Sequence, residues 1–379
     1  MIVRTLVTLF AVSVGVDSSA IAQAPTNAVD TIVGRALKRF VAATPQAVGL
    51  SIGVYTHGAT YTYNYGVAEK QTNRPATATT LYRIASITKT FTATLLAQAA
   101  LEHRVRLDDD VRKYLDGDYP NLAFQGHPIR LYDLVDHRSG LPFFLPDKPE
   151  TAPDDGQNVT PWATRIAGVL RNYSRQDFYA DLHQVRLTGV PGVTVQYSNA
   201  AAQLAGYILE RVYGKPYEIL LKEKIFLPLG MRSTTITLDN EQAGRLAQGY
   251  DSAGQVMPNV PDQIQAAGAV KSDVRDMLKY AQWEVEERDA AVRLSHIPRA
   301  TAGEYSADLN WQMWRTGANR LIWQSGNFPG FHSLCVVMPE LQIGVVILAN
   351  ETDAASNAAR DRMANEILKG LDSRAIPLP

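Results

Sequence analysis

The chain carries one cysteine, Cys335, in 379 residues, so no intramolecular disulfide is available and the fold rests on its core. Its setting, Leu334-Cys335-Val336-Val337-Met338, reads as a core strand and makes the thiol a poor nucleophile. Seven histidines are scattered as His57, His103, His127, His137, His183, His296 and His332. None stands in an H-E-x-x-H or H-x-H spacing, which disfavours metal-dependent hydrolysis. No G-x-G-x-x-G or P-loop run occurs, so no cofactor is implied. Charge of neither sign is in excess: the formal net charge is -1 with 20% charged residues, which argues against nucleic acid or an anionic membrane as partner. Past the first residues, no apolar run is long enough to span a bilayer.

What is present begins with a leader. Arg4 precedes the apolar run Leu6 to Val16, and Ala20-Ile21-Ala22 offers a small-x-small cleavage site before Gln23. Ala22-Gln23-Ala24 is a second candidate site, with Pro25 directly after it. The run is too short for a stable anchor, so residues 1–22 are expected to be a cleaved signal peptide of a periplasmic or secreted protein. The remainder, in a chain that is 46% hydrophobic, suits a globular domain with a large core. It shows no internal repeat and no low-complexity tract.

The pattern runs strands, then helices, then strands. Val48 to Tyr55 and Ala59 to Val67, joined by a Thr-His-Gly turn, read as a hairpin. From Ser86 to about Gly214 the pattern is mostly helical, and Asp108-Asp109-Asp110 reads as cap and dipole chemistry at a helix start rather than as a metal site. Phe143 to Thr164, rich in Pro and Asp, is expected to be a long loop bordering a cleft. A helix over Asp273 to Glu286 precedes four strands, Leu309–Trp314, Leu321–Gln324, Phe331–Met338 and Gln342–Ala349. A helix from about Ala355 to Leu371 ends the chain. Strands from both ends imply one sheet with a helical insertion. The expected division is a single catalytic domain over residues 26–379, with residues 26–80 and 265–379 forming an α/β part and 81–264 a helical part.

Two local constellations carry chemistry. Ser86 and Lys89 form S-x-x-K in Arg83-Ile84-Ala85-Ser86-Ile87-Thr88-Lys89, and residues three apart on a helix share a face. A serine hydroxyl becomes a nucleophile when a neighbour takes its proton, which a desolvated lysine can do. Thr90 to Leu101 contains no charged residue, as expected of a buried helix. The second constellation is Tyr197-Ser198-Asn199, preceded by Val190-Pro191-Gly192 and followed by a helical pattern from Ala200 to Tyr213. A tyrosine near a lysine can act as a base if its pKa falls, and Asn199 can hydrogen-bond an amide. The competing Tyr119-Pro120-Asn121 lies in a turn-rich stretch. Gly49-Leu50-Ser51-Ile52-Gly53 matches G-x-S-x-G but sits inside a hairpin strand, where no nucleophile elbow can form.

Taken in order, these segments resemble the serine β-lactamase and penicillin-binding-protein superfamily in its class C and DD-peptidase branch, most nearly the AmpH-type low-molecular-weight penicillin-binding proteins. The likeness is carried by Tyr82 through Lys89, by Leu134-Val135-Asp136-His137-Arg138-Ser139-Gly140-Leu141-Pro142, and by Pro191-Gly192 through Tyr197-Ser198-Asn199. Leu227-Pro228-Leu229-Gly230-Met231 and Pro329-Gly330-Phe331 complete it. It implies an α+β β-lactamase/transpeptidase-like fold: an antiparallel sheet from both chain ends, flanked by terminal helices, with an inserted helical subdomain. It also implies that Ser86 is acylated, that Lys89 and Tyr197 relay protons, and that Asn199 binds the substrate amide. The backbone N–H groups of Ser86 and Asn327 would form the oxyanion hole.

The third family motif departs from the pattern. Where relatives commonly have Lys-Thr-Gly, or His in the first place, this chain has Gln324-Ser325-Gly326, so the cation expected to select a substrate carboxylate and to lower the tyrosine pKa is missing. Arg315-Thr316-Gly317 mimics the motif but reads as a turn between strands, and His332 or Arg320 are the other candidate cations. Three functions follow. One is a periplasmic acyl-serine hydrolase of β-lactams or D-Ala-containing peptidoglycan peptides. Another is a carboxylesterase or D-amidase on the same machinery, and the third is a cell-wall-binding relative without catalysis. Retention of Ser86, Lys89, Tyr197 and Asn199 disfavours the third. The expected partner is a small-molecule or peptidoglycan-peptide substrate.

Overall fold

The computed structural model describes residues 27–148, 151, 152, 159–298, 300–302 and 305–379. The expected leader lies outside them. One antiparallel sheet organises the described residues. Its strands are β1 (Gly49–Thr56), β2 (Ala59–Glu69), β3 (Arg74–Pro75), β4 (Ala300–Ala302), β5 (Tyr305–Asp308), β6 (Trp311–Thr316), β7 (Asn319–Phe328), β8 (Phe331–Met338) and β9 (Ile343–Ala349). The hydrogen-bonded order is β3-β2-β1-β9-β8-β7-β6-β5-β4. The two ends of the chain therefore meet at β1 and β9, where Leu50 pairs with Ala349 and Thr56 with Ile343.

Burial explains why the central strands read as runs and the flanking one as an alternation. On one face, Val345 and Ile347 pack with Ile52 and Val54 against helices α1 (Ala28–Ala43) and, at the far end of the chain, α6 (Ala354–Leu371). On the other, Val346 and Leu348 pack against Met277 and Leu278 of helix α5 (Val274–Glu286). Successive strand residues point to opposite faces, and both faces are covered, so all of β9 is buried. Each such Ile or Leu contributes about 1.5 to 3 kcal/mol. In β2 one face is wet: Thr60, Thr62 and Asn64 are exposed while Tyr61, Tyr63 and Tyr65 lean on the terminal helices.

Helix α2 (Thr88–Leu101) runs through the interior beside the sheet, buried on nearly all sides. Its threonines are compatible with that depth because each finds a partner: Thr92 donates to Ala266 O at 2.8 Å and Thr94 to Thr90 O at 2.9 Å. The expected helical stretch after it is more broken than the pattern suggested. Asp110 caps a single 3-10 turn, Val111–Tyr114, by accepting the Arg112 N–H. Asp109 takes Tyr114 Oη at 2.6 Å and pairs with Lys113. The acidic triplet is thus cap chemistry, on a shorter element than expected.

The segment expected to be a loop to Thr164 instead becomes helix α3 (Val159–Leu170). Pro161 sits in its first turn, where a missing N–H costs nothing. Strands β4 and β5 were not foreseen, because Ala300, Ala302 and Ser306 carry no periodic apolar signal. Helix α4 (Asn199–Tyr213) ends at Gly214 in a left-handed cap, φ +65°.

Candidate active site

The turn that carries Ser86 is forced into place from three sides. The chain enters through Tyr82–Arg83, which pairs with Lys271–Ser272, and Ile84 O accepts the Ser333 hydroxyl of β8 at 2.7 Å. Ala85 then takes φ +48°, a left-handed conformation costing an alanine about 1 to 2 kcal/mol. A 3-10 turn over Ala85–Ile87 leads into α2 and leaves Ser86 half-buried at the mouth. Strand β7 passes so close that a Cβ on Gly326 would lie 2.4 Å from Ile84 O and 2.9 Å from Ala85 Cβ. Glycine in the third motif is required by that approach.

Lys89 Nζ lies 2.9 Å from Ser86 Oγ and donates to Ala267 O at 2.7 Å. The Tyr197 hydroxyl donates to the same Ser86 Oγ at 2.6 Å. Lys89 is 0% exposed, and its Nζ sits 4.8 Å from the centroid of the Tyr197 ring. Burial drives its pKa well below the usual lysine range, so the neutral amine is accessible. A neutral amine can give one N–H to Ala267 O while its lone pair receives the serine proton.

The surroundings of Tyr197 do not favour the lowered pKa that would make it a base. Desolvation pushes the phenol upward and the Ser86 hydrogen bond offsets only part of this. Tyr197 keeps 37% exposure, which moderates the desolvation without reversing it. No cation of the third motif is there to lower it, and Tyr197 remains a proton donor to Ser86.

Tyr197 is held by the segment carrying the His137 motif. Ser198 caps α4 by accepting the Ala201 N–H at 2.9 Å and donates its hydroxyl to Pro142 O at 2.6 Å. Gln196 N–H donates to His137 O at 2.6 Å, and Ser198 N–H donates to His137 Nδ1 at 3.2 Å. The imidazole also lies against the phenol, 4.3 Å between centroids. Burial first, and the neighbouring Lys89 second, lower the His137 pKa to about 3, which keeps Nδ1 an acceptor. Sequence reasoning quoted His137 only as part of a resemblance; its role in fixing Tyr197 is visible only in three dimensions.

A cavity of about 280 Å³ opens on this group and is lined by Ser86, Tyr197, Asn199, Gln324, Ser325 and Asn327, while Lys89 and Gly326 lie behind it. Asn199 donates its backbone N–H to Phe143 O at 2.9 Å. Gln324 Nε2 donates to Asn310 O at 2.6 Å and its Oε1 accepts the Ser325 N–H at 2.9 Å, so its amide is spent inside the protein. Asn310, which sequence reasoning missed, joins this strand to α2 by donating Nδ2 to Lys89 O at 3.0 Å. Neither alternative cation reaches the cavity. Arg320 is held by Glu340 and Glu287 at 2.6 and 2.8 Å, and His332 is buried with its pKa driven far down by desolvation. Gly317 lies in the β6–β7 turn.

The decoys resolve physically. Ser51 is buried in β1, 2.8 Å from Asn64 Oδ1, and Asn121 donates to Leu182 O at 2.8 Å. Among the described residues no group of His, Cys, Asp and Glu is arranged to hold a metal, and no helix is long and apolar enough to cross a membrane.

A large antiparallel sheet with helices on both faces, and a serine in hydrogen-bond contact with an enclosed lysine and a tyrosine, match a serine hydrolase of the β-lactamase/transpeptidase architecture. The chain belongs to the beta-lactamase family, whose model matches residues 36–368. It is 27% identical over 366 residues to a beta-lactamase of Pseudomonas fluorescens, covering 86% of this chain and 94% of that one. It is 26% identical to an unguisins hydrolase of Aspergillus campestris, over 86% of this chain and 62% of that protein. A solved beta-lactamase/D-alanine carboxypeptidase of Yersinia pestis, complexed with citrate, superposes with a TM-score of 0.75 at 26% identity, covering 90% of this chain and 99% of that one.

Proposed function

We propose that the protein is an exported acyl-serine hydrolase in which Ser86 is the nucleophile, Lys89 the proton acceptor and Tyr197 the proton donor. The observation that carries this reading is Lys89, enclosed without a carboxylate partner and 2.9 Å from Ser86 Oγ. As Ser86 Oγ bonds the substrate carbonyl carbon, its proton passes to Lys89, whose new charge faces the Tyr197 ring. The carbonyl oxygen, now negative, is stabilised by the backbone N–H groups of Ser86 and Asn327. The scissile C–N or C–O bond breaks as the leaving group takes a proton from Tyr197, which Lys89 replenishes. Water then adds to the ester carbon and gives its proton to neutral Lys89, the bond from that carbon to Ser86 Oγ breaks as Lys89 returns the proton to Ser86, and the acid departs.

Substrates in this reading are β-lactams, D-Ala-containing peptides, or esters and amides without a carboxylate. Relatives carrying different hydrolase names support a scaffold shared among them. The test is intact mass against time for the mature protein mixed with benzylpenicillin and, separately, with p-nitrophenyl acetate, using Ser86→Ala as control. A Ser86-dependent acyl adduct or turnover with either compound is expected. Neither adduct nor turnover, or turnover that survives Ser86→Ala, would overturn the assignment.

A further inference from the structure

The cavity beside Ser86 has a floor and a wall of different chemistry. Among the described residues, no charged side chain lines it. Its wall is aromatic and aliphatic: Phe143, Phe144, Trp162, Ile166, Val260 and Ile264 face the space. This wall is rigid. Phe144, Ile166 and Val260 are themselves buried in a satellite core on which Phe143, Trp162 and Ile264 pack, and the Phe143 and Phe144 rings meet edge to face at 4.9 Å. The lining polar groups are neutral, Ser325, Asn327, Asn199 and Gln312 among them, and the Gln324 amide is turned to Asn310 and Ser325.

We infer that this wall is the acyl subsite and that the preferred substrates are uncharged acyl donors bearing an aromatic or long apolar acyl group. The inference rests on the proposed acyl-serine reading and refines its substrate class. An acyl group must stay bound while the leaving group departs and water enters, so it belongs against the enclosed wall. The leaving group needs an exit, and the exposed Tyr197 and Asn327 mark the open side. A carboxylate on the acyl group would lose its hydration against this wall without gaining a cation, a large penalty. A phenyl ring there gains both burial and ring contacts.

The test compares kcat/KM for p-nitrophenyl phenylacetate, acetate and hemisuccinate, which share one leaving group. Phenylacetate is expected to exceed acetate by about tenfold or more, and hemisuccinate to fall below acetate. Trp162→Ala is expected to shrink the phenylacetate-to-acetate ratio, chiefly through KM; Trp162→Phe should restore most of it. Equal values for all three esters, or a preference for hemisuccinate, with turnover still lost in Ser86→Ala, would overturn the acyl subsite alone. Loss of Ser86 dependence would instead overturn the underlying mechanism.

Discussion

Two lysines lie inside this protein within one short region, and they are treated in opposite ways. Lys271 is 1% exposed and has Asp262 at 2.5 Å, with Ile236 O at 2.7 Å. Arg83 reaches the same Asp262 at 2.6 Å and stacks on Phe328 at 4.6 Å. Lys271 is thereby part of an ionic brace under the nucleophile turn; desolvation and Arg83 pull its pKa down to about 8 while Asp262 holds it up. Among the described residues Lys89 receives no carboxylate, only the Ala267 carbonyl, the Ser86 hydroxyl and a ring face. A buried lysine with a counter-ion stays charged and ties elements together. One without is pushed toward the neutral amine, an arrangement that costs stability and makes sense as proton chemistry.

The sharpest way to break the comparison is Lys89→Met, which keeps length and apolarity but removes the proton acceptor. Turnover is expected to fall by about 10⁴-fold, while stability at pH 7 holds or rises. The sign follows from linkage. The folded-state pKa of Lys89 is depressed, so below the unfolded value the unfolded chain binds the extra proton and the native lysine is a burden. Any stability advantage of the variant should therefore shrink as pH rises toward 10.5. Denaturant midpoints at pH 7 and pH 10 measure it. A variant much less stable than wild type at pH 7 would mean that Lys89 is a structural brace like Lys271.

Lys271→Met tests the other side. The folded pKa of Lys271, about 8, lies below the ordinary lysine value of 10.5, so between these limits the unfolded chain again holds more protons and wild-type stability gains with rising pH. The unfolding free energy of wild type relative to Lys271→Met should climb by on the order of 2 to 3 kcal/mol from pH 8 to 10.5. Asp262 keeps Arg83 in the variant, so activity should suffer far less than in Lys89→Met. A difference that stays flat over that window would show that Asp262 fully compensates the burial.

The sequence made some of this contrast legible. Lys89 stood out because twelve residues without charge follow it, and a helix so apolar has to be buried; its three-residue spacing to Ser86 then placed the pair on one face. The sheet from both chain ends was legible through hydrophobic runs in β1, β8 and β9. Lys271 was not legible, because its partner Asp262 sits nine residues away in an irregular segment and Arg83 is brought to it by chain crossing. His137 and Asn310 escaped for a similar reason: both act through backbone groups of distant residues, His137 on Ser198 and Asn310 on Lys89. Such contacts leave no periodicity. Tyr197 lies beside Ser86 as the tripeptide and its context suggested, but which of Tyr197 and Lys89 takes the proton was not legible, since desolvation depends on the surrounding packing and not on the tripeptide.

Planting a third lysine sharpens the comparison at the site itself. Gln324 is 4% exposed and its Nε2 already donates to Asn310 O, so an ammonium in Gln324→Lys could keep that bond but would have no carboxylate beside it among the cavity-lining residues. Like Lys89, it would be a desolvated cation; unlike Lys89, it would border the cavity, where an anionic substrate can serve as its counter-ion. The expected result is a rise of about tenfold or less in kcat/KM for benzylpenicillin relative to p-nitrophenyl acetate, equivalent to roughly 1 kcal/mol. The pH profile should locate the gain where the new amine is charged and fade above its pKa. An unchanged ratio at every pH would mean that position 324 faces Asn310 too firmly to meet substrate, leaving the apolar wall as the main source of selectivity.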